Sequence, residues 1–403
     1  MHPDGAAVDL DLGHHPEAHD VAVEAGESHG AQRVAKPVRR QRHWPGHSDR
    51  PPKRQRCRVA VDIALRFAVE SAACVVNSLA PTAAAAAYPP PIAEDLARVE
   101  ERLAEELVSR EERLATIATH LLGAGGKRIR PTVVLLVFHA AGNGAVRRDD
   151  AIEAAVALEL IHSATLLHDD IIDAGDVRRG RPSALRTFGA ADTLVAGDFL
   201  FSRAFALCAR FEPVVIRWAA SACVSLTEGE IMQGRFRHDP AVTLADYVEI
   251  IRRKTASLFA AGARTAAHLA GASPELVEAM AVAGEHIGLA FQVSDDLLDV
   301  VGHPGRTGKT RGIDLRDGNP SLPIVLALRA DPEFARLFAR ERLASGDLEA
   351  GLGRIHASGV LSAVTARAQA HVAEALDALR RLPASPYRRT LEALAQNLGD
   401  RSA

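Results

Sequence analysis

The stretch 158–173 reads LELIHSATLLHDDIID, and it fixes both the class of fold and the place to look for chemistry. Its apolar positions recur at helical spacing, while three polar groups fall on one stripe. At about 100° per residue, His162, Asp169 and Asp173 lie within about 40° of one another. Two carboxylates four positions apart, on a helix otherwise too apolar for a surface, are costly to bury unless a cation compensates them. Oxygen ligands select a hard cation, hence magnesium. Taken alone, DDxxD is a short pattern, and a charged helix end in water accounts for it equally well.

A second copy tips that balance. Residues 291–299 read FQVSDDLLD, again at the end of a strongly apolar helical segment. Gln292, Asp296 and Asp299 share a face, with Asp295 about 60° aside. Two such clusters on two helices of one bundle could grip two or three magnesium ions, and those ions would in turn bind a diphosphate group. Phosphate oxygens prefer arginine forks and lysine point charges, and both accompany the acids. Arg178-Arg179-Gly180-Arg181-Pro182 follows the first cluster, Lys254-Thr255 sits midway along another helical segment, and Lys309 follows the second cluster. A separate basic knot, GGKRIRP at 125–131, lies in a glycine-opened turn before a helix and suits a second phosphate group that needs no metal. Singly, the 178–181 run reads as readily as a solvated loop; its combination with two acid clusters favours function.

Outward from these motifs, apolar residues keep helical spacing from Ile92 onward, and strand-like alternation is nearly absent. Segments 149–173, 191–211, 213–234, 244–270 and 274–301 read as long helices, several too apolar for a surface. The fold class is therefore all-α, a single-domain helical bundle with a buried centre over 92–403. Residues 1–91 differ: seven histidines fall in the first fifty positions, a basic stretch follows, and alanines 83–87 lead into Tyr88-Pro89-Pro90-Pro91. Consecutive prolines hold an extended backbone, so 1–91 reads as a disordered extension and linker. Other readings stand beside it. His14, His15 and His19 could bind a metal, an arginine-rich presequence is opposed by Asp4, Asp9, Asp11, Glu17 and Asp20, and the start codon could be over-extended.

Composition excludes some classes. The chain has 403 residues, 47% of them hydrophobic, and 48 basic against 51 acidic side chains give a net charge of −3. That balance offers no global reason to expect nucleic acid or an anionic membrane as partner. Cys57, Cys74, Cys208 and Cys223 show no CxxC spacing and no secretory signal precedes them, which reads as a reduced, cytoplasmic protein. The apolar runs 132–138 and 322–328 fall far short of the ~20 residues that cross a bilayer. Membrane contact is expected to be transient at most, for product release.

Together these motifs resemble the trans-isoprenyl diphosphate synthases, the polyprenyl synthetase family, over about residues 96–328. The likeness rests on GGKRIRP, the HxxxxxHDDxxD run from His162 to Asp173, RRGRP, Lys254-Thr255-Ala256, FQxxDDxxD and the GKxxGxDL run at 308–315. It implies an isoprenoid-synthase fold around a deep central cavity, usually a homodimer, with the acid motifs facing each other across the cavity mouth. By resemblance, Asp169, Asp173, Asp295, Asp296 and Asp299 hold magnesium. Arg178, Lys254, Thr255, Gln292 and Lys309 contact the allylic diphosphate, and Lys127, Arg130, His162 and Arg179 hold isopentenyl diphosphate. The catalytic set it implies is Asp169, Asp173, Arg178, Lys254, Asp295 and Lys309.

The chain departs from the family pattern at Asn319, where many members carry lysine, and residues 400–403 lack the basic tail that some members fold over the site. Product length in this family depends on cavity depth below the first acid helix. The positions before Asp169 are Ala164 and Thr165, neither bulky, so the expected product is long, about C30 to C50. Two competitors remain. A class I terpene cyclase is disfavoured by the second DDxxD and by Lys127, Arg130 and His162; a non-catalytic partner subunit is disfavoured because both acid motifs are intact.

Overall fold

The computed structural model describes residues 88–142, 147–302 and 311–400, all within one compact unit, Ala60–Ala403. The expectations for residues 1–87 and for Lys309 lie outside the described residues. The first helix, α1 (Pro90–Glu106), starts inside the proline run that read as a linker. Pro90 and Pro91 occupy its first turn, where the missing N–H has no intrahelical partner to lose and the fixed φ suits the helix. Next come α2 (Glu112–Leu122), α3 (Ile129–Ala141) and α4 (Arg148–Ile172). Asp149 and Asp150 open α4, favourably placed at its positive end.

A two-residue antiparallel pair, β1 (Val177–Arg178) and β2 (Arg181–Pro182), follows the first acid motif. Arg179 and Gly180 between them both have positive φ, 53° and 76°, which is the turn that matches the twist of a tight hairpin. Then come α5 (Ala184–Phe188), α6 (Ala190–Cys208) and α7 (Pro213–Arg235).

The expected helix over 244–270 is interrupted. It runs as α8 (Leu244–Ile251), a π-helical turn (Arg252–Ala256) and α9 (Ser257–Leu269). Thr243 and Asp246 cap α8 reciprocally, each side chain accepting the other's N–H. The segment read as 274–301 is α10 (Pro274–Val301), begun by Ser273 and proline. Shorter helices complete the chain: α11 (Ile313–Asp317), α12 (Leu322–Ala330), α13 (Pro332–Phe338), α14 (Ser345–Ala357), α15 (Val360–Leu379) and α16 (Pro386–Asp400).

Two apolar cores meet along α10. Its first half, with Met280, Ala283, Ile287 and Ala290, packs into the larger core formed with α3, α4, α6 and α9. Its second half, with Leu289, Val293, Leu297 and Val300, packs into a smaller core with Tyr247, Leu322, Phe334 and Phe338. The acid motif of α10 therefore emerges along its second half, in the smaller core. Two helices, α4 and α10, are long and apolar enough to cross a membrane, yet 72% and 61% of their apolar windows are buried inside the protein, which makes them core helices here.

Candidate active site

The first acid motif closes α4. Asp169 is half-buried and its carboxyl is pushed up to about 6, chiefly by desolvation, with Glu230 and Asp173 adding repulsion while Lys254 and Arg178 oppose it. Asp170, 1% exposed, turns the other way and grips Arg178 through the guanidinium Nε at 2.8 Å and Nη2 at 2.7 Å. It is spent on aiming that arginine. Asp173 ends the helix and pairs with Arg237. Ala164 is fully buried on the same helix, and Thr165 donates its hydroxyl to the His162 carbonyl at 2.7 Å.

The basic knot and the hairpin converge on His162. Arg130 lies over the neighbouring rings of Phe259 and Phe291, 4.7 and 6.0 Å from their centroids, and its Nε has no partner. Burial lowers it to about 10, although Glu159 and Asp295 favour its charge. His162 is held well below its ordinary value by burial and then by Arg130, Arg179, Arg128 and Arg178, so at neutral pH it is an uncharged imidazole among guanidiniums. Arg179 lies against Gly126, where an added Cβ would come within 3.1 Å of it. Arg128 serves the scaffold: it holds φ 46° and binds Glu100 at 2.5 Å and Glu159 at 2.8 Å. Lys127 is exposed at the edge of this turn. Such a pocket suits a phosphate group without a metal.

The π-helical turn carries Lys254 and Thr255. π-Turns in α-helices frequently sit at functional sites because they re-aim side chains. Gly229 of α7 allows the approach, since a Cβ there would meet Lys254 N at 2.5 Å. Lys254 contacts Glu230 and donates to Gln233 Oε1 at 2.6 Å. Burial works against its charge, but Asp169, Glu230 and Asp173 outweigh it and hold the ammonium above its ordinary value.

The second acid motif divides its three carboxylates. Asp296, expected as a metal ligand, is buried and accepts three hydrogen bonds: from Gln292 at 2.8 Å on Oδ1, and from Tyr247 at 2.7 Å and the Leu322 N–H at 3.0 Å on Oδ2. These bonds engage three of its lone pairs and tie Asp296 into the framework. Gln292, through the same amide, accepts from Thr255 at 2.9 Å, so these two expected diphosphate contacts are bonded to each other. Asp299 accepts the N–H groups of Ile313 and Asp314, both at 3.1 Å, at the start of α11. Asp295 is the carboxylate whose charge acts on Arg130. Asn319, 8% exposed, accepts from Arg237 Nε at 3.1 Å, so positive charge reaches that place from another element.

Among the described residues, no three His, Cys, Asp or Glu side chains converge as a finished metal site. The donor set nevertheless fits a hard cation, because half-buried Asp169 and Asp173 stand four positions apart at the end of α4 and offer only oxygen ligands. Sequence reading missed Glu230, Gln233, Arg237 and Tyr247. An acid and an amide at i and i+3 on the apolar α7 were the only local sign of the first two.

A cluster of arginines beside two carboxylate motifs, set in an all-α bundle, suits an enzyme that handles phosphate esters. Comparison with known proteins makes this particular. Residues 111–349 match the sequence model of the family described as polyprenyl synthetase. An all-trans-nonaprenyl-diphosphate synthase (geranyl-diphosphate specific) of Rhodobacter capsulatus is 35% identical over 316 residues, 77% of this chain and 96% of that protein. The octaprenyl diphosphate synthase of Escherichia coli (strain K12) is 35% identical over 309 residues, 75% of this chain and 94% of that one. A polyprenyl synthase from Caulobacter crescentus CB15, solved with calcium and isoprenyl diphosphate, superposes with TM-score 0.73 at 36% identity, covering 77% of this chain and 95% of that one. The chain belongs to the polyprenyl synthetase family and is a prenyltransferase.

Proposed function

We propose that this chain condenses isopentenyl diphosphate with an allylic diphosphate, dependent on two or three magnesium ions, to give an all-trans polyprenyl diphosphate of about C30 to C50. One observation carries the reading: Arg130, Arg178 and Arg179 gather around His162 at the end of α4 where Asp169 and Asp173 stand, with Arg178 gripped by Asp170. The arginine cluster suits a diphosphate that stays intact, the carboxylates a diphosphate that leaves.

Asp169, Asp173 and Asp295 would hold magnesium, with Asp299 after its release from α11. When bound, magnesium neutralises the charge that develops on the departing diphosphate. Lys254, held charged by Asp169 and Glu230, and Arg178, aimed by Asp170, face the same leaving group. Arg130, Arg179 and Lys127 bind the second diphosphate, and uncharged His162 donates to it. Breakage of the allylic C–O bond leaves a carbocation, the bonding electrons departing with the diphosphate; the isopentenyl double bond attacks it, and the released diphosphate takes the proton then lost from the new chain. The apolar walls of α4, α6 and α9 exclude the water that would quench the cation. The small side chain of Ala164, five positions before Asp169, supports a long product.

The protein is proposed to act in the cytoplasm as a homodimer. An apolar face on α6 and α7, where Leu194, Val195, Phe205, Val224 and Ile231 are exposed, supports the dimer. The direct test incubates purified protein with magnesium, labelled isopentenyl diphosphate and C10, C15 or C20 primers, then separates the dephosphorylated products. A ladder ending at one long chain is expected. No incorporation by folded protein would leave a partner-subunit role instead, and an end product of C15 or C20 would overturn the length.

A further inference from the structure

The segment after α7 ties the two acid motifs together. His238 takes a left-handed backbone, φ 56°, which costs a non-glycine residue about 1 kcal/mol or more unless its surroundings fix it. They do: its N–H donates to the Gly318 carbonyl at 3.0 Å and its Nδ1 donates to the Phe338 carbonyl at 3.2 Å. The preceding residue, Arg237, is thereby anchored on the side of the second motif. Its guanidinium crosses to the first, pairing with Asp173 and donating to the Ile172 carbonyl at 3.4 Å, while Nε donates to Asn319 at 3.1 Å. Asn319 in turn donates its N–H to the Asp314 carbonyl at 2.8 Å, and the Asp314 N–H donates to Asp299 at 3.1 Å. One continuous chain of contacts thus runs from Asp173 to Asp299.

The geometry points to Arg237 as a latch: it holds Asp173 where a divalent cation would otherwise sit, and passes from that carboxylate to the diphosphate when magnesium binds. Arg237 is then a positioning residue for the metal and a charge waiting for the substrate. The inference rests on the proposed function insofar as Asp173 is taken as a magnesium ligand. A guanidinium and a divalent cation on one carboxylate repel each other, so magnesium binding must displace Arg237 or meet its repulsion. The pair is about a quarter exposed on each side, so it is modest in strength and can exchange.

The test uses the full chain and two titrations by calorimetry: magnesium chloride alone, then inorganic pyrophosphate at saturating magnesium. Arg237→Met should bind magnesium alone roughly two- to fivefold more tightly than wild type, the scale of a partly exposed ion pair, and bind pyrophosphate several-fold more weakly. Arg237→Lys, which keeps the charge, should stay near wild type in both, and melting curves establish that each variant is folded. In an Asp173→Asn background the Arg237→Met effect on magnesium should vanish. Unchanged or weaker magnesium binding by folded Arg237→Met would refute the latch, and unchanged pyrophosphate binding would refute the transfer. Failure of the underlying reading would be separately visible, because wild type would then give no prenyl transfer whatever the titrations return.

Discussion

At the scale of single residues, the sharpest result is the division of labour between adjacent carboxylates. Asp296→Asn cannot accept from both Gln292 and Tyr247 as the carboxylate does: its amide nitrogen would face the Gln292 amide, which must turn and lose Thr255. The expected loss is about 1–3 kcal/mol of stability in urea melts, with little change in magnesium affinity. Asp295→Asn should do the reverse, leaving the melt near wild type and abolishing most turnover; similar melts for the two variants would contradict the division. Helical periodicity alone put Asp296 on the face shared by Gln292 and Asp299. What it could not give was the surroundings of that face, because Tyr247 and Leu322 arrive from distant positions. Arg130, His162, Arg178 and Arg179 do meet, as the motifs led one to expect, whereas Arg237 had no local signature. A second residue-scale expectation concerns Ala164, which is fully buried five positions before Asp169. Ala164→Phe should shorten the end product while turnover continues, read from the product ladder, and an unchanged ladder would remove Ala164 from control of length.

At the scale of elements, the seam between helices is set by what is absent from side chains. Gly229→Ala would drive a Cβ to 2.5 Å from Lys254 N and 2.9 Å from Arg253 Cβ. Separating α7 from the π-turn should cost about 1–3 kcal/mol, and it should lower kcat by pulling Lys254 from Asp169. Gly234→Ala on the same helix meets nothing within 4 Å and should instead stabilise by about 0.5–1 kcal/mol. Paired melting curves and initial rates read both effects; equal behaviour of the two variants would mean the close approach is unimportant. The helices themselves were legible, α10 to the residue, because proline, serine and glycine mark its ends. The π-turn was not. Its cause is the crowding of α7 and α10 against 252–256, a contact between elements far apart in the chain that no periodicity within 244–270 records.

At the scale of the whole molecule, an exposed apolar face needs a cover. Val224 and Ile231 are 59% and 71% exposed on α7, seven positions apart and so on one side of that helix, with Leu194, Val195 and Phe205 exposed on α6. Isolated exposed apolar residues are common on protein surfaces, but several of them on two successive helices are consistent with the proposed association surface. A second copy is the natural partner because a two-fold axis presents the same patch twice, and one self-complementary face closes the assembly without exposing another. Placing a glutamate at both Val224 and Ile231 would bury four like charges in such a dimer, a burden of several kcal/mol that association of a standard interface cannot absorb. Sedimentation should therefore show a dimer for wild type and a monomer for the Val224→Glu/Ile231→Glu variant, with helix content by circular dichroism preserved. The same α7 carries Glu230, Gln233 and Gly229 toward Lys254, so loss of the partner should also loosen the site and reduce turnover. A variant that remains dimeric would place the interface elsewhere, and a monomeric wild type would mean that the face is covered by a different protein.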